Sequence, residues 1–427
     1  MERFVVEGGR PLHGQLRVHG SKNAALPILA AAAMATDEVV VHDVPDLDDV
    51  HVMLAILQSL GARARYDRGS VHVDPRGIDN TEVPEALMRR MRSSIFMMGP
   101  LLSRYGSTCV FKPGGCTIGT RPIDLHLKGL AEMGADIVER HGYIECRAAR
   151  LHGAAIFLDF PSVGATENLM MAAALADGET VIGNAAREPE IRDLAAFLER
   201  IGARIRGAGE DTIAIEGVAA LGGGEFAVSP DRIVAGTLMI AAAITGGRVE
   251  LTNVRPSELA APLTKLRAAG VDVRAAHDIL LVSGPVRPQA IDRLQTAPYP
   301  GFPTDLQAPF LSLLTVAQGM SVVSETIFED RFKHVSELQR MGASIKVDLR
   351  TAFVRGVGEL SGAMVEATDL RAGAALVIAG LRAQGQTSVG GVEHVDRGYE
   401  RFERQLAALG GHVARVANEG VRAVVDL

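Results

Sequence analysis

The stretch FKPGGCTIGTRP, residues 111–122, sets the thiol of Cys116 among Gly114, Gly115 and Gly119, with Lys112 and Arg121 on its flanks. Nearby cations stabilise a thiolate and make the sulfur reactive. Glycines let a loop change φ/ψ at little cost, so residues 112–121 are expected to form a mobile lid. The plain alternative is a loop thiol with no role. Cys109 and Cys146 fall in β patterns and are expected to be inert. Three sparse cysteines make neither a disulfide framework nor a zinc pattern. Gly114 to Gly119 has the glycine spacing of a phosphate loop, but Thr120-Arg121 follows where Lys-Ser/Thr is needed. A thiol hydrolase would want a histidine base held by Asn or Asp, and no local signature supports one.

Charged residues also stand where helices are expected to begin. Lys22 and Asn23 sit in GSKNAALPILA, Arg92 in MRRMRSSIFMM and Asp231 in SPDRIVAGTLM. Asp305 sits in FPTDLQAPFL, and Asp369 with Arg371 in ATDLRAGAALV. An aspartate in a first helical turn is stabilised by the helix dipole, so Asp231, Asp305 and Asp369 each have a capping reading beside a functional one. A cation there opposes the dipole. Lys22 and Arg92 therefore either reach out to water or help a helix end bind an anion. Arg331 in EDRFKHV and Arg397 in HVDRGYERFER lie in loops, where a solvated surface role is the plain alternative.

The elements that position these residues recur. Helix, Gly, small residue, strand is read at LQSLGARARY, LAEMGADIVE, LERIGARIRG, LRAAGVDVRA, LQRMGASIKV and LAALGGHVAR. The shared glycines are Gly61, Gly134, Gly202, Gly270, Gly342 and Gly410, separated by 73, 68, 68, 72 and 68 residues. Each is a helix stop. Before each glycine, a polar cluster opens an Ala/Met/Leu-rich helix that is apolar nearly all round, which predicts burial at a domain centre. A β-rich segment follows each of these helices. The unit reads β-α-β-α-β-β, and six units of this length exceed one ordinary core. Three plus three predicts two similar α/β domains, with the break near Ser229. Parallel central helices would gather their N-termini at one end of each domain, and two such ends facing each other would attract anions.

Composition excludes other classes. Net charge is −7 (44 basic against 51 acidic residues), Trp is absent and aromatics are 4%, which argues against a nucleic-acid binder. The run Ala24 to Ala35 is too short to span a bilayer, and MERFVVEGGRPLHG has no signal-peptide core. A cytoplasmic enzyme without a metal or cofactor is expected.

The motifs PGGCTIGTRPIDLHL, DFPSVGATENLMMAA, NAAREPEI, PGFPTDLQA, FEDRFKHV, ATDLRAGAALV and HVDRGYER resemble those of the UDP-N-acetylglucosamine 1-carboxyvinyltransferases, in the EPSP synthase superfamily. The resemblance runs from GSKNAALPIL to DRGYERFE. It implies two inside-out α/β barrel domains, each with threefold pseudo-symmetry, at residues 22–229 and at 1–21 with 230–427. The active site is expected in the cleft between them. It implies enolpyruvyl transfer from phosphoenolpyruvate to the 3′-hydroxyl of UDP-N-acetylglucosamine in peptidoglycan synthesis. No metal, membrane or nucleic acid takes part, a monomer is expected, and the cysteine is vulnerable to fosfomycin. By the same resemblance Cys116 is the proton donor and Asp305 accepts the sugar's proton. Lys22, Asn23, Cys116, Arg121 and Arg397 bind phosphoenolpyruvate. Asn23, Arg92, Arg121, Pro122, Ile123, Asp124, Leu125, Ser162, Val163, Gly164, Asp305 and Ile327 bind the nucleotide sugar, with Arg331, Asp369 and Arg371 in support. Asp330 and Lys333, beside Arg331, depart from the family pattern. Two alternatives remain: a shikimate-3-phosphate enzyme of the same superfamily, and a catalytically silent regulator.

Overall fold

Gly61, Gly134, Gly202, Gly270, Gly342 and Gly410 each stop a helix in the computed structural model, which describes residues 2–112, 118–119 and 122–417. All six have positive φ, from 83° at Gly410 to 117° at Gly202. L-residues avoid this region because of their Cβ, so glycine is favoured. At Gly202, Gly342 and Gly410 an added Cβ would meet nothing within 4 Å. There it is the backbone conformation, rather than space, that selects glycine. The next residue's N–H reaches back to close the helix end, as Ala62 N to Leu57 O and Ala343 N to Leu338 O do.

Among the described residues the stops organise six separate sheets, none closed on itself. In a full sheet a parallel pair is extended by an antiparallel hairpin. Strand Arg293–Gln295 runs parallel to Met320–Ser324, which pairs with Thr351–Arg355 and then Ser344–Asp348. One sheet is short. Ser107–Phe111, Tyr143–Arg147 and Asp136–Arg140 form three strands, and the fourth is reduced to the parallel bridge of Glu82 to Cys109.

Three sheets draw a strand from far along the chain. His13–Arg17 lies parallel to Arg248–Thr252, and Gly224–Ala227 lies parallel to Val39–His42. Glu2–Glu7 pairs with Gln386–Gly390 on one side and His412–Ala417 on the other. The sixth repeat thus takes one strand of its hairpin from the opposite end of the sequence.

Two units result. One comprises Met1–Val18, Cys116–Thr120 and Pro230–Leu427; the other comprises His19–Gly115 and Arg121–Ser229. Two segments depart from the expected division. Residues 19–21 group with the 22–229 segment, because Ser21 N donates to Ser229 O and Gly20 lies against Asp43 O. The described residues Ile118 and Gly119 group with the 230–427 segment. Asp330 N donates to Ile118 O, and Gly119, at φ 137°, lies against Glu329 so closely that a Cβ would collide with it.

In the 230–427 unit the helices Arg232–Thr245, Gln307–Leu314 and Leu370–Arg382 pack on one another and are almost wholly buried. In the other unit Lys22–Ala32, Met98–Tyr105 and Val163–Ala174 are the buried counterparts. The second of these differs from the expected continuous helix. A helix over Glu85–Arg90 breaks at Met91, which is extended at φ −137°, and a 3₁₀ turn over Arg92–Met97 follows before Met98. Ser94 Oγ donates to Met91 O, competing with the helical pattern at the break. No helix among the described residues is long and apolar enough to cross a membrane.

Candidate active site

In the 19–229 unit, Lys22 is the first residue of its helix, behind the N-cap Ser21, whose Oγ accepts from Ala24 N. Its side chain does not reach out to water. It is buried, and its Nζ lies 3.0 Å from Oδ2 of Asp49, in the first turn of the helix Asp48–Ser59. A cation pressed against a positive helix end needs local negative charge, and Asp49 supplies it. Asn23 follows, half-buried.

The residues expected around a nucleotide sugar fall on three adjoining elements. Ser162 caps the helix Val163–Ala174, its Oγ accepting from Ala165 N. Gly164 lies against the His126 ring and Phe96. Arg92 is near enough to act on His126, whose imidazole is lowered to about 4, first by burial and then by that guanidinium. A neutral His126 can accept at Nδ1, and Asn168 Nδ2 donates there at 3.0 Å. Asn168 also donates to Ile95 O and accepts from Gly99 N, so one amide ties the three elements together. Ile123 is buried and Leu125 half-buried just before His126, whereas Pro122 and Asp124 are exposed. One turn into the helix that Ser162 caps, Glu167 is buried with no partner on either carboxylate oxygen. Burial, then Glu190 and Glu188, push it well above the ordinary carboxylate range.

In the 230–427 unit the aspartates at helix starts divide. Asp231 accepts from Ile233 N and Val234 N, and Asp369 from Arg371 N and Ala372 N; both are N-caps. Asp305 lies inside the 3₁₀ turn Thr304–Leu306 and makes no such cap. Its Oδ1 accepts from Arg331 Nη2 at 2.9 Å and its Oδ2 from Arg371 Nη2 at 3.0 Å. Those arginine side chains are 3% and 5% exposed, against 26% for Asp305, so this is a carboxylate presented outward on two buried cations. Asp305 helps hold Arg371 charged despite its burial. Nη1 of each arginine is buried without a hydrogen-bond partner. Arg371 lies over the Tyr399 ring, 5.2 Å from its centroid, and Tyr399 Oη is 3.0 Å from Thr237 Oγ1. His334 is buried nearby, lowered to about 4 chiefly by burial, with Asp369 acting against that shift and Arg331 with it. Ile327 is half-buried in the loop before Arg331, and Arg397 is half-buried after the short helix Val392–Asp396.

Cys116 and Arg121 lie outside the described residues. Lys112, on the flank of that loop, pairs with Glu139 at 2.7 Å, both about half exposed. Burial raises Cys109, with Glu82 and Glu145 adding to it, and pushes Cys146 up to about 12. No cluster of metal-ligating side chains occurs among the described residues. Asp49, His126, Asn168, Glu167 and Tyr399 were not legible as site neighbours. Only Asp49, in the acidic run DLDDV, carried any signal.

A family model described as EPSP synthase (3-phosphoshikimate 1-carboxyvinyltransferase) matches residues 6–406. The chain is 52% identical over 413 residues to UDP-N-acetylglucosamine 1-carboxyvinyltransferase 1 of Caldanaerobacter subterraneus subsp. tengcongensis, covering 97% of this chain and 99% of that protein. It is 53% identical over 421 residues to the protein of the same name from Symbiobacterium thermophilum, covering 97% and 95%. Among solved structures, the enolpyruvyl transferase NikO from Streptomyces tendae aligns at a TM-score of 0.88 and 25% identity, over 97% of this chain and 99% of its own. An EPSP synthase from Acinetobacter baumannii aligns at 0.75 and 20% identity over 98% and 100%, a likeness of fold alone.

Proposed function

From a chain that belongs to the EPSP synthase family, and within it to the UDP-N-acetylglucosamine 1-carboxyvinyltransferases, we propose how its own residues divide the work of enolpyruvyl transfer. The enzyme moves the enolpyruvyl group of phosphoenolpyruvate to the 3′-hydroxyl of UDP-N-acetylglucosamine and releases phosphate, committing the sugar to peptidoglycan. Cys116 gives a proton to C3 of phosphoenolpyruvate, which makes C2 an oxocarbenium-like electrophile. The sugar oxygen bonds to C2 as its proton passes to Asp305. A C3 proton then returns to the Cys116 thiolate as the C2–O bond to phosphate breaks, which restores the enol ether and releases phosphate.

Asp305 carries this assignment of roles. A carboxylate has about four lone-pair sites, so the two guanidiniums do not fill it. They fix its plane and leave it facing outward. Phosphoenolpyruvate brings a phosphate and a carboxylate, which Lys22, Arg121 and Arg397 counter, with Asn23 beside them. Arg92, residues 121–125, Ser162, Val163, Gly164 and Ile327 contact the nucleotide sugar. Arg331 and Arg371 support Asp305, and Asp369 orients the helix that carries Arg371. A cytoplasmic monomer belongs to the same proposal.

The direct test is phosphate release. Phosphate should leave phosphoenolpyruvate only when UDP-N-acetylglucosamine is present, and should continue in a chelator. Equal release with shikimate 3-phosphate would overturn the acceptor assignment.

Lys22→Ala should lower kcat/KM for phosphoenolpyruvate by roughly 10- to 150-fold, the loss of a charged hydrogen-bond partner. It should also lower Tm, because Asp49 stays buried without this cation. Combining it with Asp49→Asn should restore Tm but not phosphoenolpyruvate use. Calorimetry should find UDP-sugar affinity unchanged in both variants. If the double variant regains turnover, Lys22 is only a structural partner of Asp49.

A further inference from the structure

A second carboxylate, Glu325, directly follows strand Met320–Ser324 and is 1% exposed. Its two oxygens serve different segments. Oε1 accepts from Ile327 N at 2.8 Å, Phe328 N at 3.2 Å and Thr296 Oγ1 at 2.8 Å. Oε2 accepts from Thr304 Oγ1 at 2.9 Å, and Thr304 directly precedes Asp305. The circuit closes through a third segment: the Arg331 guanidinium lies over the Phe328 ring, 5.2 Å from its centroid, and donates to Asp305. Burying a carboxylate is costly unless it is fully hydrogen-bonded. Here the bonds go to the backbone that carries Ile327 and to the turn that carries Asp305.

We propose that Glu325 is a positioning residue for the transfer, one oxygen fixing the acceptor-binding backbone at 327–328 and the other fixing the base Asp305. This rests on the reading of Asp305 and Ile327 given above. The division between the oxygens makes the effects separable. Thr304→Val removes the hydroxyl that Oε2 holds. It should lower kcat by roughly 10-fold, the worth of a hydrogen bond to a charged group, with KM for UDP-N-acetylglucosamine within about twofold of wild type. Glu325→Ala loses both limbs and should lower kcat/KM by about 100-fold, with KM rising as kcat falls. Glu325→Gln keeps an oxygen for Ile327 and Phe328, and its amide can donate to a reoriented Thr304 hydroxyl, so it should recover most of that loss.

The experiment is steady-state kinetics in both substrates with thermal unfolding of each variant, and Asp305→Asn in the same assay. A kcat-only loss in Thr304→Val at unchanged Tm, with rescue by glutamine, supports the proposal. Wild-type kcat in Thr304→Val overturns it, as does activity that falls only in proportion to lost folded protein. Should Glu325→Ala not fold, Thr304→Val and Glu325→Gln still decide. If Asp305→Asn is impaired while Thr304→Val is not, only the role of Glu325 falls. If Asp305→Asn turns over like wild type, the role of Asp305 falls and that of Glu325 with it.

Discussion

Asp305→Asn should lower kcat by about 10²–10⁴-fold, the range spanned by loss of a positioned general base. The asparagine keeps the shape and one acceptor oxygen, but neither the charge nor the ability to take a proton. A second effect should appear in stability. Arg331 and Arg371 are buried and both donate to this carboxylate. Removing one member of a buried ion pair costs about 3–5 kcal/mol. The loss here should be smaller, because Asp305 is partly exposed and Asp231 also acts on Arg371. Asp305→Ala, which offers no acceptor, should unfold at lower temperature than Asp305→Asn. A rate constant and a Tm for each variant separate the two effects. If asparagine costs stability while kcat stays within tenfold of wild type, Asp305 is an anchor for two arginines and the base lies elsewhere.

At the other end of the proton path, Cys116→Ser should reduce turnover by about 10²–10⁴-fold, because a serine hydroxyl is far less acidic than a thiol. Cys116→Asp should remain active. Aspartate donates only while protonated, so its activity should fall as pH rises through its pKa, which puts the optimum below that of wild type. Thiol chemistry gives an independent reading. With Cys109 raised by burial and neighbouring glutamates, and Cys146 pushed up to about 12, little thiolate forms at either. Mass spectrometry should find alkylation at Cys116 in the wild type, little at the other two, and resistance to fosfomycin in Cys116→Asp. Serine that keeps wild-type rates across the pH range would remove Cys116 from the acid's role.

What could be read from the chain beforehand follows from how local each feature is. A helix stop at positive φ is a property of a few residues, so Gly61 and its five counterparts announced the repeat. Helices apolar on every side announced their burial in the same way. The three aspartates at helix starts looked alike. Whether one caps depends on the backbone: Asp231 and Asp369 are extended N-caps, while Asp305 sits inside a 3₁₀ turn. Lys22 read as a cation facing water or an anion, since its pairing with Asp49 requires two helices to have packed. Glu325 gave no signal at all. It reads as a polar residue at a strand end, and its meaning lies in contacts with Thr296 and Thr304, about 30 and 20 residues earlier.

Strand Glu2–Glu7 bears on the order in which the molecule is made. It is synthesised almost the whole length of this sequence ahead of its partners, Gln386–Gly390 and His412–Ala417. At about 5–20 residues per second, it waits roughly 20–80 s for them to emerge. Phe4 and Val6, wholly buried in the finished protein, have no native cover during that time. The 19–229 unit waits about half as long, since its most distant pairing is Val39–His42 with Gly224–Ala227. On the ribosome one half of the catalytic machinery can therefore mature while the other half, holding Asp305 and Glu325, is still lacking its last sheet.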